Sequence, residues 1–262
     1  YRSICGSQDN GQSLLTENGW LEIYGADGME GFIHPLNDDW LIGSWQNGGR
    51  RRSKDGGITG QGVTPPNQKN ASWVAPLLND PNNQMRVYSI SDSVYRSDNF
   101  GSTWQNLGYT TIGTAGKAAI AENNSNIIFI SSGSKLVKST DGGKTFSAIT
   151  GLPNYSITDI AFNPRNDYNL IVTYNRYQRD SSKVYMSTNL GASWTNITYN
   201  LNDMPVNTVV IDHQADANIY LGTELGVFTK KMSEKNWKLY NTNLPNMAVL
   251  DLKVQYGTNS LR

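Results

Sequence analysis

Apolar residues along this chain come in short runs, not in the 3.6-residue rhythm of an amphipathic helix. Residues 127–132 (IIFISS), 170–174 (LIVTY) and 219–223 (IYLGT) are nearly continuous apolar runs bounded by turn formers. Each is followed by a shorter alternating segment: 135–139 (KLVKS), 183–187 (KVYMS) and 227–230 (VFTK). A short continuous run reads as a strand buried on both faces, and an alternating one as a half-exposed strand. A strand-like segment precedes each run (116–122, 157–162, 206–212) and another follows the alternating segment (144–149, 193–197, 236–239). Residues 29–66 and 72–106 fit the same frame. The pattern predicts four antiparallel strands per unit, repeated every 40–50 residues or so, which is the mark of a propeller or solenoid.

A short box punctuates each unit between its third and fourth strands. It reads SKDGGIT at 53–59, SDNFGSTW at 97–104, STDGGKTF at 139–146 and STNLGASW at 187–194. A worn fifth copy runs from about Thr229 to Trp237, so successive starts lie 44, 42, 48 and 42 residues apart. A catalytic loop is normally needed once, whereas a loop recurring at one spacing is a structural device. Ser53, Ser97, Ser139 and Ser187 open the boxes. Asp55, Asn99, Asp141 and Asn189 can bond to amides of their own turn. Gly57, Gly101, Gly143 and Gly191 can take positive φ. Trp104, Phe146 and Trp194 can plug the gap between hairpin and sheet. A weakly bound cation at one of the carboxylates is the competing use.

The pattern Ser-x-Asp-x-Gly-x-Thr-Trp resembles the Asp-box, or BNR repeat, of sialidase-like and sortilin-like propellers. The resemblance implies an all-β fold, a β-propeller of four-stranded antiparallel blades with the boxes on its periphery, away from any active centre. About six blades are expected across 1–262 as a single domain, with 1–23 and 247–262 forming a split closing blade. The alternative is a fragment of a ring of seven or more blades.

Composition narrows the function classes. Lys and Arg number 22 against 22 Asp and Glu, so no positive field is offered to nucleic acid. The one basic cluster, Arg50-Arg51-Arg52, reads as a solvated strand or local ion-pair partner. Cys5 is the single cysteine, which excludes an internal disulfide. No apolar run approaches the roughly 20 residues of a membrane span. No signal peptide stands at Tyr1, and the chain reads as a piece of a longer precursor. His34 and His213 sit at turns with no paired spacing, so neither a metal nor a cofactor is expected. Four Asn-x-Ser/Thr sites (Asn70, Asn123, Asn154, Asn196) matter only in a host that glycosylates them.

A ligand of a propeller sits where the second-to-third-strand loops and the blade-linking loops share one face. Those loops here include 7–11, 44–49, 174–182, 24–31 and 202–205. Their unusual residues are Gln8, Asp9, Asn10, Asp27, Glu30, Trp45, Gln46, Tyr174, Arg176 and Tyr177. Aromatics beside amides and carboxylates suit stacking on a sugar or gripping a peptide. Equally, QDNG and QNGG are ordinary hairpin turns.

Two enzyme families use Asp-box propellers. Sialidases need an arginine triad and a tyrosine nucleophile, and neither an Arg-Ile-Pro entry motif nor a set of three blade-separated arginines on the inner strands is found. Residues 29–57 are similar to the first blade of xyloglucanase-like hydrolases, but Gln46 stands at the position of that family's catalytic Asp. An amide cannot act as general acid or carboxylate base, and glycosidases ordinarily need two carboxylates. Asp9, Asp27 and Glu30 are the available substitutes. The segments DGMEGFIHP, GSWQNGG and RSKDGG, with GSQDNG, resemble the secreted repeat proteins of gliding and polymer-degrading Bacteroidetes. That resemblance implies an extracellular or outer-surface location and the type IX secretion route. The expectation is a binding or scaffold propeller that presents a rim to a glycan or to a cell-surface or secretion protein, without catalysis. The alternatives are a xyloglucanase-type hydrolase of β-glucans and a structural spacer of a surface adhesin.

Overall fold

Strands make up nearly all the regular backbone of the computed structural model, which describes residues 2–177, 182–201, 203–240, 242, 244–255 and 260–262. Residues Gln178–Ser181 of the 174–182 loop, Asn202 of the 202–205 loop and Tyr256 of the expected strand at 247–256 lie outside the described residues.

The first sheet has three strands in the order β1 (Ser3–Ser7), β2 (Gly11–Thr16), β3 (Gly19–Tyr24). Five four-stranded sheets follow, each a simple antiparallel meander. They are β4 (Gly28–Ile33) to β7 (Gln61–Gly62) through β5 (Leu41–Trp45) and β6 (Gly49–Ser53), and then β8 (Leu77–Asp80), β9 (Asn83–Ile90), β10 (Ser93–Ser97) and β11 (Gln105–Tyr109). The third runs β12 (Lys117–Ile120), β13 (Ile128–Ser132), β14 (Lys135–Ser139), β15 (Ser147–Ala148). The fourth runs β16 (Ile157–Asn163), β17 (Asn166–Tyr174), β18 (Val184–Ser187), β19 (Thr195–Asn196). The fifth runs β20 (Val206–Ile211), β21 (Asn218–Thr223), β22 (Gly226–Lys231), β23 (Lys238–Leu239). Near the C-terminus β24 (Val254–Gln255) and β25 (Ser260–Leu261) pair with each other. Sequential meanders of this kind are the blades of a β-propeller.

The chain divides into two compact units. One comprises residues 1–118 with 141–146, the other residues 119–140 with 147–262. In the first, Leu14, Tyr24 and Leu41 form one buried cluster, and Ile42, Leu77, Val87 and Phe100 form another. In the second, Phe129, Leu136, Ile160 and Leu170 share a cluster, and Ile171, Val209, Ile219 and Trp237 share the next. Each cluster draws on neighbouring sheets, so a blade buries its faces only against its neighbours.

That stacking corrects one expectation. In the first unit the third strands are not half exposed, since β6 and β10 are buried at every position but one, whereas β14 and β22 each keep an exposed end and β18 is buried at two of four positions. The fourth strands are the exposed ones, as at β15 and β23. In β6 and β10 alternation distinguishes polar from apolar residues, but both faces are covered, so their buried polar residues are hydrogen-bonded inside.

The boxes show how. In the first, the Gly57 amide donates to Ser53 Oγ (2.9 Å), the Thr59 amide to Asp55 Oδ1 (2.9 Å) and the Thr59 hydroxyl to Asp55 Oδ2 (2.6 Å). The second repeats this with an amide: the Gly101 amide donates to Ser97 Oγ and the Thr103 amide to Asn99 Oδ1, both at 2.8 Å, while Asn99 Nδ2 donates to Thr103 Oγ1. The Asn189 turn is the same with Ser193 in place of Thr103, and Thr145 bonds Asp141 as Thr59 bonds Asp55. Trp104 Nε1 donates to the Val63 carbonyl (2.7 Å) and Trp237 Nε1 to that of Ile197 (2.9 Å), pinning one blade's turn to the preceding blade.

Strand register places the worn fifth turn one residue later than its sequence suggests. Leu41, Val87, Ile128 and Leu170 pair with the box serines, and Ile219 pairs with Lys230. The Lys230 ammonium is buried and donates to the Glu234 carbonyl (3.0 Å), with the Trp237 ring 5.3 Å away. A cation that bonds the turn from inside replaces the serine hydroxyl, which the Ser/Asp pattern does not register. Burial pushes its pKa down.

Candidate functional site

The expected rim divides between the two units. In the first, Gln8, Asp9 and Asn10 form the β1–β2 turn. Asp9 takes φ 62°, the Asn10 amide donates to the Ser7 carbonyl and its side chain to that of Gln8. The turn is held against the β3–β4 linker, since the Asp9 amide donates to Asp27 Oδ1 (2.9 Å). Gly11 and Gly28 are required by this contact. A Cβ on Gly28 would lie 1.8 Å from the Gly11 oxygen, and one on Gly11 1.9 Å from the Tyr24 oxygen.

Glu30 is also committed to the backbone. Its carboxylate accepts the Leu77 amide (2.9 Å), capping the start of the next sheet. Gln46 and Asn47 open a single 3-10 turn between β5 and β6, with Asn47 at φ 58° and its amide donating to the Trp73 carbonyl. The Gln46 side-chain oxygen is buried and has no hydrogen-bond partner among the described residues.

The three arginines of β6 have three different environments, which corrects their reading as a solvated strand. Arg50 is fully buried, with Nε on Ser89 Oγ (3.1 Å) and Nη2 on the carbonyls of Ala75 and Pro76 (2.9 Å each). Burial lowers its pKa to about 10, opposed by the nearby Glu30 charge. Arg52 is buried on the same face and donates to the Phe100 carbonyl and to Gln61 Oε1 (2.8 Å). Arg51, on the opposite face, is only partly buried. Strand alternation sends 50 and 52 one way and 51 the other, and the stacked sheet covers the first pair.

Arg50 also breaks the repeat. By pairing register it stands where β10, β14, β18 and β22 place Val94, Leu136, Val184 and Val227. Gln12 stands at the same register of β2. It is buried too, and Nε2 donates to the Met29 (2.6 Å) and Ser44 (3.2 Å) carbonyls. In two consecutive blades a polar side chain thus bonds backbone of the following blade, where four sister blades carry an aliphatic one.

An open cleft of about 510 Å³ lies beside these residues, lined by Tyr24, Gly25, Ala26, Trp45, Arg51, Gly60 and Gly62. The Arg51 guanidinium carbon sits 4.7 Å from the centre of the Tyr24 ring. The Trp45 ring lies on bare Gly49, where a Cβ would come within 2.0 Å of it. Sequence reasoning named Trp45 but missed Arg51, Tyr24 and Gly60. The signal for Arg51 was present, because its sister positions are Tyr95, Val137, Tyr185 and Phe228.

In the second unit Tyr174 is fully buried at the end of β17, its ring edge-on to Tyr155 and Tyr185. Burial raises its pKa strongly. The Arg176 guanidinium stacks 3.4 Å over Tyr155, and Tyr177 is 67% exposed. Of the three expected here, Arg176 and Tyr177 are the two that are not fully buried. His34 is buried in its turn, edge-on to Trp40 and Phe100, and its Nδ1 accepts the Leu36 amide. Among the described residues no group of three or more His, Cys, Asp or Glu is placed to hold a metal ion. None of their helices is long and apolar enough to cross a membrane.

The fold is shared with solved propellers. An ancestral GH74 enzyme superposes with a TM-score of 0.71 at 17% identity, covering 90% of this chain and 36% of the enzyme. The GH74 xyloglucanase from Xanthomonas campestris gives 0.67 at 13% identity, covering 91% and 39%. YCF48 bound to D1 peptide gives 0.56 at 8%, covering 90% and 71%. The chain therefore spans little more than a third of the length of the two enzymes, and at these identities the likeness is one of fold. No curated protein matches the sequence. The family model Sortilin-Vps10 (sortilin, neurotensin receptor 3) matches residues 92–243, more than half of the chain, and the protein belongs to that family.

Proposed function

We propose that this propeller is an extracellular or cell-surface binding and scaffold domain that presents its loop rim to a glycan or a protein and does no chemistry itself. One observation carries the reading: two of the three rim carboxylates, Asp27 and Glu30, serve as backbone caps. Asp27 holds the Asp9 amide and Glu30 the Leu77 amide, while Gln46 supplies an amide where an acid would be needed. The rim that remains is aromatic and basic, with Trp45, Tyr24 and Arg51 in one unit and Tyr155, Arg176 and Tyr177 in the other. Such groups bind rather than cleave.

The GH74 likeness favours a second reading, a β-glucan hydrolase of which this chain is a part. One experiment separates the two. The purified protein is offered glycan arrays and insoluble polysaccharides, and any bound polymer is analysed for products. Binding without cleavage, lost in Trp45→Ala, supports the binding module. Release of oligosaccharides that stops in Glu30→Gln or Asp27→Asn supports the hydrolase.

A further inference from the structure

The Arg51 cleft has a composition that selects for a ligand. Its guanidinium makes no hydrogen bond or ion pair with the described residues, and its one recorded partner is the Tyr24 ring beneath it. Stacking on an aromatic uses the face of the guanidinium and leaves its in-plane N–H donors free. Those donors match a planar carboxylate in a two-point contact. Beside them the Trp45 indole offers an apolar surface in the same cleft, and Gly25, Gly60 and Gly62, which carry no side chains, line the rest of it. Gly60 is what makes room, since a Cβ there would lie 2.2 Å from Arg51 Nε and 2.7 Å from the Tyr24 ring.

We propose that the cleft between Tyr24, Trp45 and Arg51 binds an acidic glycan through a uronic acid residue, with the sugar's C–H face on the indole and its carboxylate on Arg51. This rests on the binding-module reading and narrows its ligand class. A sugar ring presents an apolar face, hydroxyls and one carboxylate within about the footprint of an indole. The cleft offers an aromatic surface, bare backbone and one free guanidinium. An acidic peptide would satisfy Arg51 but would need apolar side-chain sockets, and with the Tyr24 ring covered by Arg51 the large apolar wall of the lining is Trp45. The Arg51 position is occupied by Tyr or Val or Phe in four sister blades, so the fold itself does not require a cation there.

The test uses calorimetric titration of the intact protein with defined oligogalacturonates and oligoglucuronates, and with the same oligomers after their carboxyl groups are reduced to alcohols. A charge-assisted contact of this kind is worth roughly tenfold or more in affinity. The expected result is at least that preference for the acid form, weakened by added salt. Arg51→Gln should abolish the preference, Trp45→Ala should weaken acid and reduced forms together, and Gly60→Ala should act like Arg51→Gln. Arg51→Gln and Trp45→Ala should keep the wild-type melting temperature to within a few degrees, whereas Gly60→Ala, which pushes the buried Tyr24 ring as well as Arg51, should lower it. Equal affinity for acid and reduced oligomers, with loss in Trp45→Ala, would overturn the uronate inference while leaving a glycan-binding module standing. Tighter binding of acidic peptides than of uronates, sensitive to Arg51→Gln, would overturn the glycan class. No binding of any uronate oligomer would overturn the inference outright.

Discussion

Asn99 offers the sharpest test of the turns. Three hydrogen bonds converge on its side chain: Ser97 Oγ donates to Oδ1 (2.9 Å), the Thr103 amide donates to Oδ1 (2.8 Å), and Nδ2 donates to Thr103 Oγ1 (2.8 Å). Asn99→Ala removes all three. Each is worth about 0.5–1.5 kcal/mol net. Thr103 is exposed, so water takes over its amide and hydroxyl and those two bonds count at the low end. The Ser97 hydroxyl is buried and cannot be rescued, although it still accepts the Gly101 amide. The expected loss is about 2 kcal/mol, or about 4–8 °C in melting temperature for a chain of this size. Asn99→Asp should be nearly silent at neutral pH. The carboxylate would accept the same amide, and the Thr103 hydroxyl would turn to donate, as Thr59 does to Asp55. Urea and thermal unfolding of the two variants, followed by tryptophan fluorescence, measure both numbers. An aspartate variant as damaged as the alanine variant would refute the reasoning, because the first and third boxes use Asp at this place. So would an alanine variant of unchanged stability that no longer binds ligand.

Asp55 is held down to a pKa of about 2 by hydrogen bonds from Ser53 and Thr59. A depressed carboxylate stabilises the fold above its unfolded pKa and loses that contribution as pH falls through the folded one. Acid unfolding should therefore steepen between about pH 4 and pH 2, and Asp55→Asn should flatten that window; identical acid profiles would dismiss the linkage. Arg50→Leu installs the residue type of the sister blades yet should cost about 1–3 kcal/mol in urea unfolding. The buried Ala75 carbonyl loses its donor, whereas Pro76 keeps the Ile90 amide and Ser89 keeps Gln68; a stabilised Leu variant would contradict this. Trp104→Phe keeps the plug but loses the bond to the Val63 carbonyl, with an expected cost near 1 kcal/mol; a cost above about 4 kcal/mol would mean that ring shape dominates.

Much of the fold was legible because each propeller strand is local. The apolar run at 128–132 and the box serine at 139 fix register within one hairpin, and hairpin register needs no knowledge of the rest of the chain. What the sequence hid depends on the neighbouring sheet. Lys138 and Arg52 look solvated in an alternating strand, yet Lys138 reaches the Leu190 carbonyl of the next blade's turn and Arg52 reaches that of Phe100. The fifth turn was misplaced by one residue because Lys230 does a serine's work from a different side chain. At the candidate site the sequence pointed to the loops, but it showed neither Arg51, Tyr24 and Gly60 of the cleft nor the bonds of the residues it named. Asp27 and Glu30 look like available acids until the amides of Asp9 and Leu77 are seen to occupy them. Tyr174 looks like a loop aromatic, but it is the buried last residue of β17.

Departures from the repeat point to a candidate site better than composition does. A repeated blade imposes the same demand at the same register, so an aliphatic residue at the Val94, Leu136, Val184 and Val227 position is what stacking alone selects. Arg50 and Gln12 defy that demand in adjacent blades, and a buried guanidinium whose pKa is dragged down to about 10 is costly to hold. Both side chains use their donors in the same way, on the backbone that begins the next blade: Gln12 on Met29, and Arg50 on Ala75 and Pro76. Such bonds fix where the blade-linking segments and the loops beside them sit. In one of those two blades the following residue, Arg51, has its hydrogen-bond donors free of the described residues in an open cleft. Buried polar groups that set loop positions, next to a cation stacked on an aromatic ring, are the arrangement that the proposed binding role would use. If the cleft were incidental, Arg50→Leu would change stability alone. If the loops are set for binding, the same substitution should also weaken whatever ligand Arg51 holds, in protein that is still folded.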